Sequence, residues 1–160
     1  MHARGFMKDV LLDTHIAIWF LEEKLSSEAR KHLERTRNRG YSAFISIVSL
    51  WEIALKSSLK SSDGLPKLAV SDAITGEYVE DPVASMVESI RLVPNLHQLD
   101  LTYEDCKKLR SLPYPPNNHR DPFDRMLVTQ ALNRRLDFMS ADRKLSPYFS
   151  NTASQLILEA

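Results

Sequence analysis

Five acidic residues of this 160-residue chain stand where carboxylates could act together. Asp13, Glu52 and Asp142 each come shortly after a short apolar run typical of a buried strand. Asp121 and Asp124 open a segment with apolar residues at helical spacing, directly after a proline-rich loop. A set of carboxylates with no nearby Ser-His-Asp or Cys-His combination favours metal-assisted hydrolysis over catalysis by a side-chain nucleophile.

Each acid alone also has a purely structural explanation. Ser49 with Glu52 three residues later is the pattern of a capping box, and Asp121 followed by proline is a typical helix N-cap. Thr102 and Asp105 show the same helix-start pattern at a place where we propose no function. The argument for a site therefore depends on the five acids being close together.

Gathered in one place, these acids would repel each other and raise each other's pKa unless a positive charge lies among them. Within the acidic motifs the basic residues are Arg125 and Arg143, and helical geometry turns Arg125 about 100° away from Asp124. A divalent cation is the natural counter-charge, and oxygen ligands suit Mg²⁺ or Mn²⁺. The pattern thus suggests metal-dependent phosphodiester hydrolysis.

Short apolar runs alternate with helical segments, which predicts βαβ units and an α/β fold with a mostly parallel sheet. Ligands of such sheets bind beyond the carboxyl ends of the strands, where the acids would meet. Residues 61–81 are expected to be irregular. The predicted strands cover residues 10–12, 44–47, 99–101, 136–140 and 155–158, and the predicted helices cover residues 16–21, 26–38, 50–60, 103–112 and 122–135.

The composition limits the class of protein. Twenty-one basic and 21 acidic residues cancel, so net charge gives no argument for nucleic-acid binding. A single cysteine, Cys106, excludes an internal disulfide and fits a cytoplasmic protein, and we expect it to be buried in a helix. No segment reads as a signal peptide or a membrane span. We expect one domain over residues 1–160, with a core of about 9–149 and an N-terminal extension of residues 1–8.

The motifs resemble those of PIN-domain ribonucleases of the VapC toxin type, found in toxin–antitoxin pairs. The matching segments, in the family's order, are residues 11–15 (LLDTH), 45–53 (ISIVSLWEI), 119–127 (HRDPFDRML) and 140–143 (SADR). The resemblance implies a three-layer sandwich with a short, mostly parallel sheet between helices. It also implies an acidic pocket for one or two Mg²⁺ or Mn²⁺ ions, in which Asp13, Glu52, Asp124 and Asp142 are the family's acids and Asp121 is an additional one.

By the same resemblance, the substrate is RNA, and Asp13, Asp121, Asp124 and Asp142 would hold the metal while Glu52 orients or deprotonates a water. A cognate antitoxin and a homodimer are also implied, with the antitoxin peptide covering an apolar groove on the helices near residues 16–21 and 48–59. Thr14 and Ser46 lie where the family often has a hydroxyl near the metal.

Two groups of basic residues are candidates for contacts with RNA phosphates. We assign the four aromatic residues of the apolar helical segments to the core and give His15 and His119 packing or loop roles. The first basic group is Arg30, Lys31, Arg35, Arg37 and Arg39, the second is Arg120, Arg125, Arg134, Arg135, Arg143 and Lys144, and the core aromatics are Trp19, Phe20, Trp51 and Phe123.

Two alternatives remain open: a cellular RNA-processing PIN nuclease, and a nucleic-acid-binding module whose acids only cap helices. A phosphatase of the aspartyl-phosphate type is set aside, because it needs a second aspartate two positions after Asp13, where this chain has His15.

Overall fold

A computed structural model describes residues 8–149 and the strand at 155–157. Five strands form one sheet in the order β3-β2-β1-β4-β5, and every neighbouring pair is parallel. The strands are β1 (Val10–Leu12), β2 (Ala43–Ser46), β3 (Leu96–Leu99), β4 (Asp137–Ser140) and β5 (Gln155–Ile157). The helices are α1 (Thr14–Leu21), α2 (Ser27–Asn38), α3 (Ile47–Ser58), α4 (Pro82–Leu92), α5 (Tyr103–Arg110) and α6 (Pro122–Arg134), and a 3₁₀ helix covers Arg143–Phe149.

Side chains of the central strand alternate between two apolar clusters, one on each face of the sheet. Val10 and Leu12 belong to the cluster that also contains buried residues of α1, α2 and α4. Leu11 belongs to the other cluster, together with residues of α6 and the 3₁₀ helix. Because strand residues point alternately to opposite faces, β1 is buried on both. The α/β fold with a parallel sheet between helices is confirmed, in three layers.

Several predicted boundaries are wrong. Helix α1 begins at Thr14 and helix α3 at Ile47, earlier than predicted, because Asp13 and Ser46 cap them. The predicted Ser49–Glu52 capping box does not form, since Ser46 is the N-cap of α3. Strand β3 lies three residues earlier than predicted.

Helix α4 was missed. Asp81 caps it, accepting a hydrogen bond from the Ala84 N–H at 2.9 Å, with Pro82 in the first turn. The predicted irregular stretch therefore ends at a helix start that has the same aspartate–proline signature as α6. Residues 1–7 and Leu158 of the predictions lie outside the described residues.

Two burial predictions are also wrong. Cys106 is exposed, since α5 turns its buried side, marked by Asp105, towards α6. Trp51 is 59% exposed and packs edge-on against Phe123, with ring centroids 4.9 Å apart. An aromatic residue at helical spacing thus lies on the surface beside the acids.

Candidate active site

The carboxyl edge of the sheet places Asp13 at the centre of the acidic cluster. Asp13 follows β1 directly, and its backbone N–H donates to the Met139 carbonyl of β4 at 2.9 Å. Its side chain is 4% exposed and accepts from the Thr14 N–H and the Ser140 hydroxyl, both at 2.7 Å. Burial raises the pKa of Asp13 above its usual value, although these two hydrogen bonds oppose the rise. The Asp13 carboxylate is thereby held in one orientation at the carboxyl edge of the sheet.

The Ser140 hydroxyl links Asp13 to Asp142. Ser140 ends β4, donates to Asp13, and accepts from the Asp142 N–H at 3.0 Å. Asp142 is thus held next to Asp13 by one buried hydroxyl. Ser140 was not among the hydroxyl residues expected near the metal, which were Thr14 and Ser46. Thr14 bonds to the Ser49 hydroxyl at 2.9 Å and Ser46 bonds to Gln130 at 2.5 Å, so both fasten helices to one another.

Asp121 and Asp124 share the first turn of α6. Asp121 caps the helix by accepting from the Asp124 N–H at 2.9 Å. Asp124 is half-buried and faces the other acids. Burial first, and then the charges of Asp13, Asp121, Glu52 and Asp142, raise the pKa of Asp124 to about 8. The four other predicted acids are therefore close enough to Asp124 to act on it electrostatically.

Glu52 approaches the cluster from the second turn of α3, where it is 2% exposed. Its Oε2 atom accepts a hydrogen bond from the ammonium group of Lys56, one helical turn later. Its Oε1 atom is buried and finds no hydrogen-bond donor among the described residues. A buried carboxylate oxygen without a partner is costly, so this atom is suited to a water or an ion.

His119 was predicted to have a loop or packing role, and the structure shows a more specific contact. Its Nε2 atom lies 3.1 Å from Asp124 Oδ2, and its Nδ1 atom lies 3.0 Å from the Tyr148 hydroxyl. Arg125 donates to the same hydroxyl at 3.2 Å. His119 thus orients Asp124, as ring nitrogens commonly do for carboxylates at metal sites.

The residues of the pocket fit a divalent cation. One ligand atom each from His119, Asp124 and Asp142 lies within 4.8 Å of the others. The remaining donors are carboxylate oxygens, the raised pKa of Asp124 signals unbalanced negative charge, and Glu52 has an unpartnered oxygen. Carboxylate oxygens suit a hard cation, which would offset the negative charge around Asp124 and give the Glu52 Oε1 atom a partner.

Two arginines proposed for RNA contacts serve the fold instead, which corrects that prediction. Arg125 is buried and donates to the carbonyls of Leu112 and Pro113 at 2.8 and 3.2 Å, fastening the proline-rich loop to α6. Arg134 pairs with the fully buried Asp105. The sequence analysis also overlooked Lys56, although a lysine four residues after a helical glutamate is a pairing signal.

The chain belongs to the PIN domain family, which matches residues 10–150. PIN-domain proteins are generally nucleases, and these nucleases generally use a divalent metal. A search of curated proteins returned no match.

Solved structures with a similar fold include three toxin–antitoxin complexes. VapBC2 from Rickettsia felis bound to a promoter DNA fragment aligns with a TM-score of 0.56 and 12% identity, covering 86% of this chain and 91% of that one. DNA-bound VapBC from Salmonella typhimurium aligns with a TM-score of 0.55 and 16% identity, covering 93% and 96%. A toxin–antitoxin complex from Klebsiella pneumoniae aligns with a TM-score of 0.50 and 12% identity, covering 92% and 95%. At these identities the likeness shows the shared fold.

Within residues 8–149 and 155–157, no helix is both long and apolar enough to cross a membrane.

Proposed function

We propose that this protein is a Mg²⁺- or Mn²⁺-dependent endoribonuclease and acts as the VapC-type toxin of a toxin–antitoxin pair. The observation that carries the proposal is the pocket in which burial and the charges of four other acids raise the pKa of Asp124 to about 8. Such a concentration of negative charge is unfavourable without a cation and is typical of sites that bind metal and phosphate.

In this proposal, Asp13, Asp121, Asp124 and Asp142 hold the metal, and the fixed carboxylate of Asp13 and the His119 contact to Asp124 keep two of these ligands in place. The bound cation would lower the pKa of a water and offset charge on the scissile phosphate. The unpartnered Oε1 atom of Glu52 would accept the proton of the attacking water. In-line attack then forms a bond from the water oxygen to phosphorus and releases the 3′ oxygen of the preceding nucleotide.

The basic residues of α2 support an RNA substrate. Arg30, Lys31, Arg35 and Arg39 are exposed and separated from the acidic pocket in the sequence. We propose that they contact the RNA backbone at phosphates away from the cleaved bond, which would make binding dependent on salt.

An antitoxin peptide is the proposed partner for a groove of about 440 Å³ formed by α1, α2 and α4, which shares the helix near residues 16–21 but not the one near residues 48–59 with the groove implied by the resemblance. Phe20, Leu21, Leu25 and Leu33 supply an apolar lining, and the structural neighbours are complexes of toxins with antitoxins. An apolar segment of a partner peptide would cover this surface.

A homodimer is proposed through the exposed face of α3. Trp51, Leu55 and Leu59 recur at four-residue spacing and are 59%, 42% and 41% exposed. Two large apolar side chains on one helix face, with a third at the residue that ends the helix, are typical of a protein interface. Sedimentation velocity of Leu55→Glu beside the wild type tests it, and an unchanged dimer or a wild-type monomer would reject this face.

Cleavage assays with purified protein test the enzymatic proposal. Labelled RNA and a DNA oligonucleotide of the same sequence would be incubated with Mg²⁺, Mn²⁺ or EDTA. We expect metal-dependent cleavage of RNA that EDTA and Asp13→Asn both abolish. Induced expression should stop growth for the wild type and spare it for Asp124→Asn. Equal toxicity of the two proteins, or cleavage in EDTA, would refute the assignment.

A further inference from the structure

Lys56 places a positive charge beside the acids of the pocket, and it has no role in the proposed mechanism. It lies one turn after Glu52 on α3, and its ammonium group pairs with Glu52 Oε2. The ammonium nitrogen also lies 5.6 Å from the centre of the Phe123 ring, next to Asp124 in sequence. The Lys56 side chain is 29% exposed, so its charged end reaches solvent at the edge of the pocket.

The positive charge of Lys56 interacts electrostatically with several acids of the pocket. Burial alone would lower its pKa, but the hydrogen bond to Glu52 and the charges of Glu52, Asp121 and Asp124 raise it. The ammonium group therefore stays positive at neutral pH and faces acids from two different helices. Of the arginines in the α6 motif, Arg125 already donates to two carbonyls and a tyrosine hydroxyl, and Arg120 donates to the Asn118 side chain.

An ammonium group carries three N–H donors, and the hydrogen bond to Glu52 uses one of them. An anion entering the pocket would meet carboxylates on most sides and this cation on the α3 side. A lysine ammonium group is a common ligand of phosphate oxygens, which it binds as a point charge.

We propose that Lys56 is a further catalytic residue, whose ammonium group binds a non-bridging oxygen of the scissile phosphate while it stays hydrogen-bonded to Glu52. This inference rests on the proposed ribonuclease function. Because one ammonium group binds both Glu52 and a phosphate oxygen, it sets the distance from the Glu52 carboxylate to the phosphorus. It also stabilises the negative charge that grows on the phosphate oxygens.

The test compares four proteins: wild type, Lys56→Gln, Lys56→Arg and the control Lys60→Gln, which alters an exposed lysine just beyond the end of α3. Glutamine keeps a donor for Glu52 and removes the charge, whereas arginine keeps both. The probes are a mixed-sequence single-stranded RNA with Mn²⁺ for cleavage, the same RNA with Ca²⁺ for binding without cleavage, and Mn²⁺ alone for metal affinity by electron paramagnetic resonance. Thermal melting checks that each protein is folded.

We expect Lys56→Gln to lose about 100-fold in kcat/KM, Lys56→Arg to lose less than about tenfold, and Lys60→Gln to stay within about threefold of wild type. The Mn²⁺ affinity of Lys56→Gln should equal or exceed that of wild type, since a competing cation is gone. Its RNA affinity in Ca²⁺ should fall by about tenfold.

Cleavage by Lys56→Gln within threefold of wild type would overturn the inference. So would a loss of Mn²⁺ affinity as large as the loss of cleavage, because Lys56 would then only shape the metal site. If the wild type cleaves no RNA, the proposed function fails by itself. The Ca²⁺ measurement then decides on Lys56, and equal RNA affinity of wild type and Lys56→Gln would reject it.

Discussion

Asp105 on α5 and Asp124 on α6 occupy the same position in two neighbouring helices, yet their surroundings are opposite. Each is the third residue after an N-cap, and each backbone N–H donates to the capping side chain, Thr102 at 3.2 Å and Asp121 at 2.9 Å. From the sequence, both look like ordinary helix-start acids. The two positions differ in what faces the carboxylate.

Asp105 is surrounded by donors. Arg134 binds it with two nitrogens at 2.5 and 2.8 Å, and Thr102, Asn133 and Gln130 add further hydrogen bonds at 2.9 to 3.3 Å. Burial would raise the pKa of Asp105, but these bonds hold it well below its usual range. Asp124 faces four acids and one histidine, and its pKa rises to about 8. A carboxylate surrounded by donors supports the fold, whereas one crowded by other acids marks a place for a cation.

The largest expected effect is the loss of activity in Asp124→Asn. Replacing the carboxylate by an amide removes a charged ligand with little change in shape, so the RNA cleavage rate should fall by about 1000-fold. The matched Asp105→Asn protein, assayed at a temperature where it is folded, should keep activity within about threefold. A small loss for Asp124→Asn, or equal losses for both, would contradict the contrast between the two sites.

The free energy of unfolding should change in the reverse order, with Asp105→Asn more destabilising than Asp124→Asn. Asp105→Asn leaves Arg134 without its charged partner, which should cost about 2–3 kcal/mol of unfolding free energy, or about 4–12 °C in Tm. Asp124→Asn should leave the Tm in EDTA at pH 7 unchanged or higher. Differential scanning calorimetry of both variants measures this, and a greater destabilisation by Asp124→Asn would argue that its pocket is a structural network.

The pH dependence of stability without metal should separate the two sites further. The folded-state pKa of Asp124, about 8, lies above the unfolded value of 3.8, so the folded protein binds this proton more tightly. Its stabilising contribution is complete below about pH 4 and is lost as the pH rises to 8. Asp137 also loses stabilisation up to about pH 6, and His32, whose pKa burial lowers, acts in the opposite direction.

The difference between wild type and Asp124→Asn isolates this term, because the other groups are common to both proteins. In EDTA, the Tm of wild type should decline by about 10 °C relative to the variant between pH 5 and pH 8, or roughly 3–4 kcal/mol. Saturating Mn²⁺ should remove the decline. Parallel curves for the two proteins would show that Asp124 titrates normally.

The sequence predicted the layers of the fold and the meeting of the acids, because both follow from strand order. A parallel sheet brings the ends of β1, β2 and β4 to one edge whatever the details of the loops. It could not predict which side chains face each acid. Ser140 and Tyr148 reach the site from the last residue of β4 and from the 3₁₀ helix, and local patterns do not encode these placements, whereas the four-residue spacing of Glu52 and Lys56 does signal a pair.

Local sequence patterns gave wrong helix boundaries and burial where two such patterns fell on neighbouring residues. Ser46 and Ser49 are both suitable N-cap residues in the sequence around the start of α3, and the earlier serine is the cap because β2 ends there. Trp51 was assigned to the core by its apolar neighbours, but α3 turns Glu52 inward and Trp51 outward. Helix α4 was not predicted, because residues 61–81 contain glycine, proline and acidic residues typical of loops, and the Asp81 N-cap was not recognised among them.

Metal binding linked to proton release tests the central claim that the acids form one pocket which a cation neutralises. Isothermal titration of Mn²⁺ at pH 7, repeated in buffers of different ionisation enthalpy, counts the protons released. Because the pKa of Asp124 is about 8 without metal, binding should be saturable and release about one proton per protein, and the Asp124→Asn variant should bind far more weakly and release almost none. Saturable binding without proton release, or equal binding by the variant, would contradict the account.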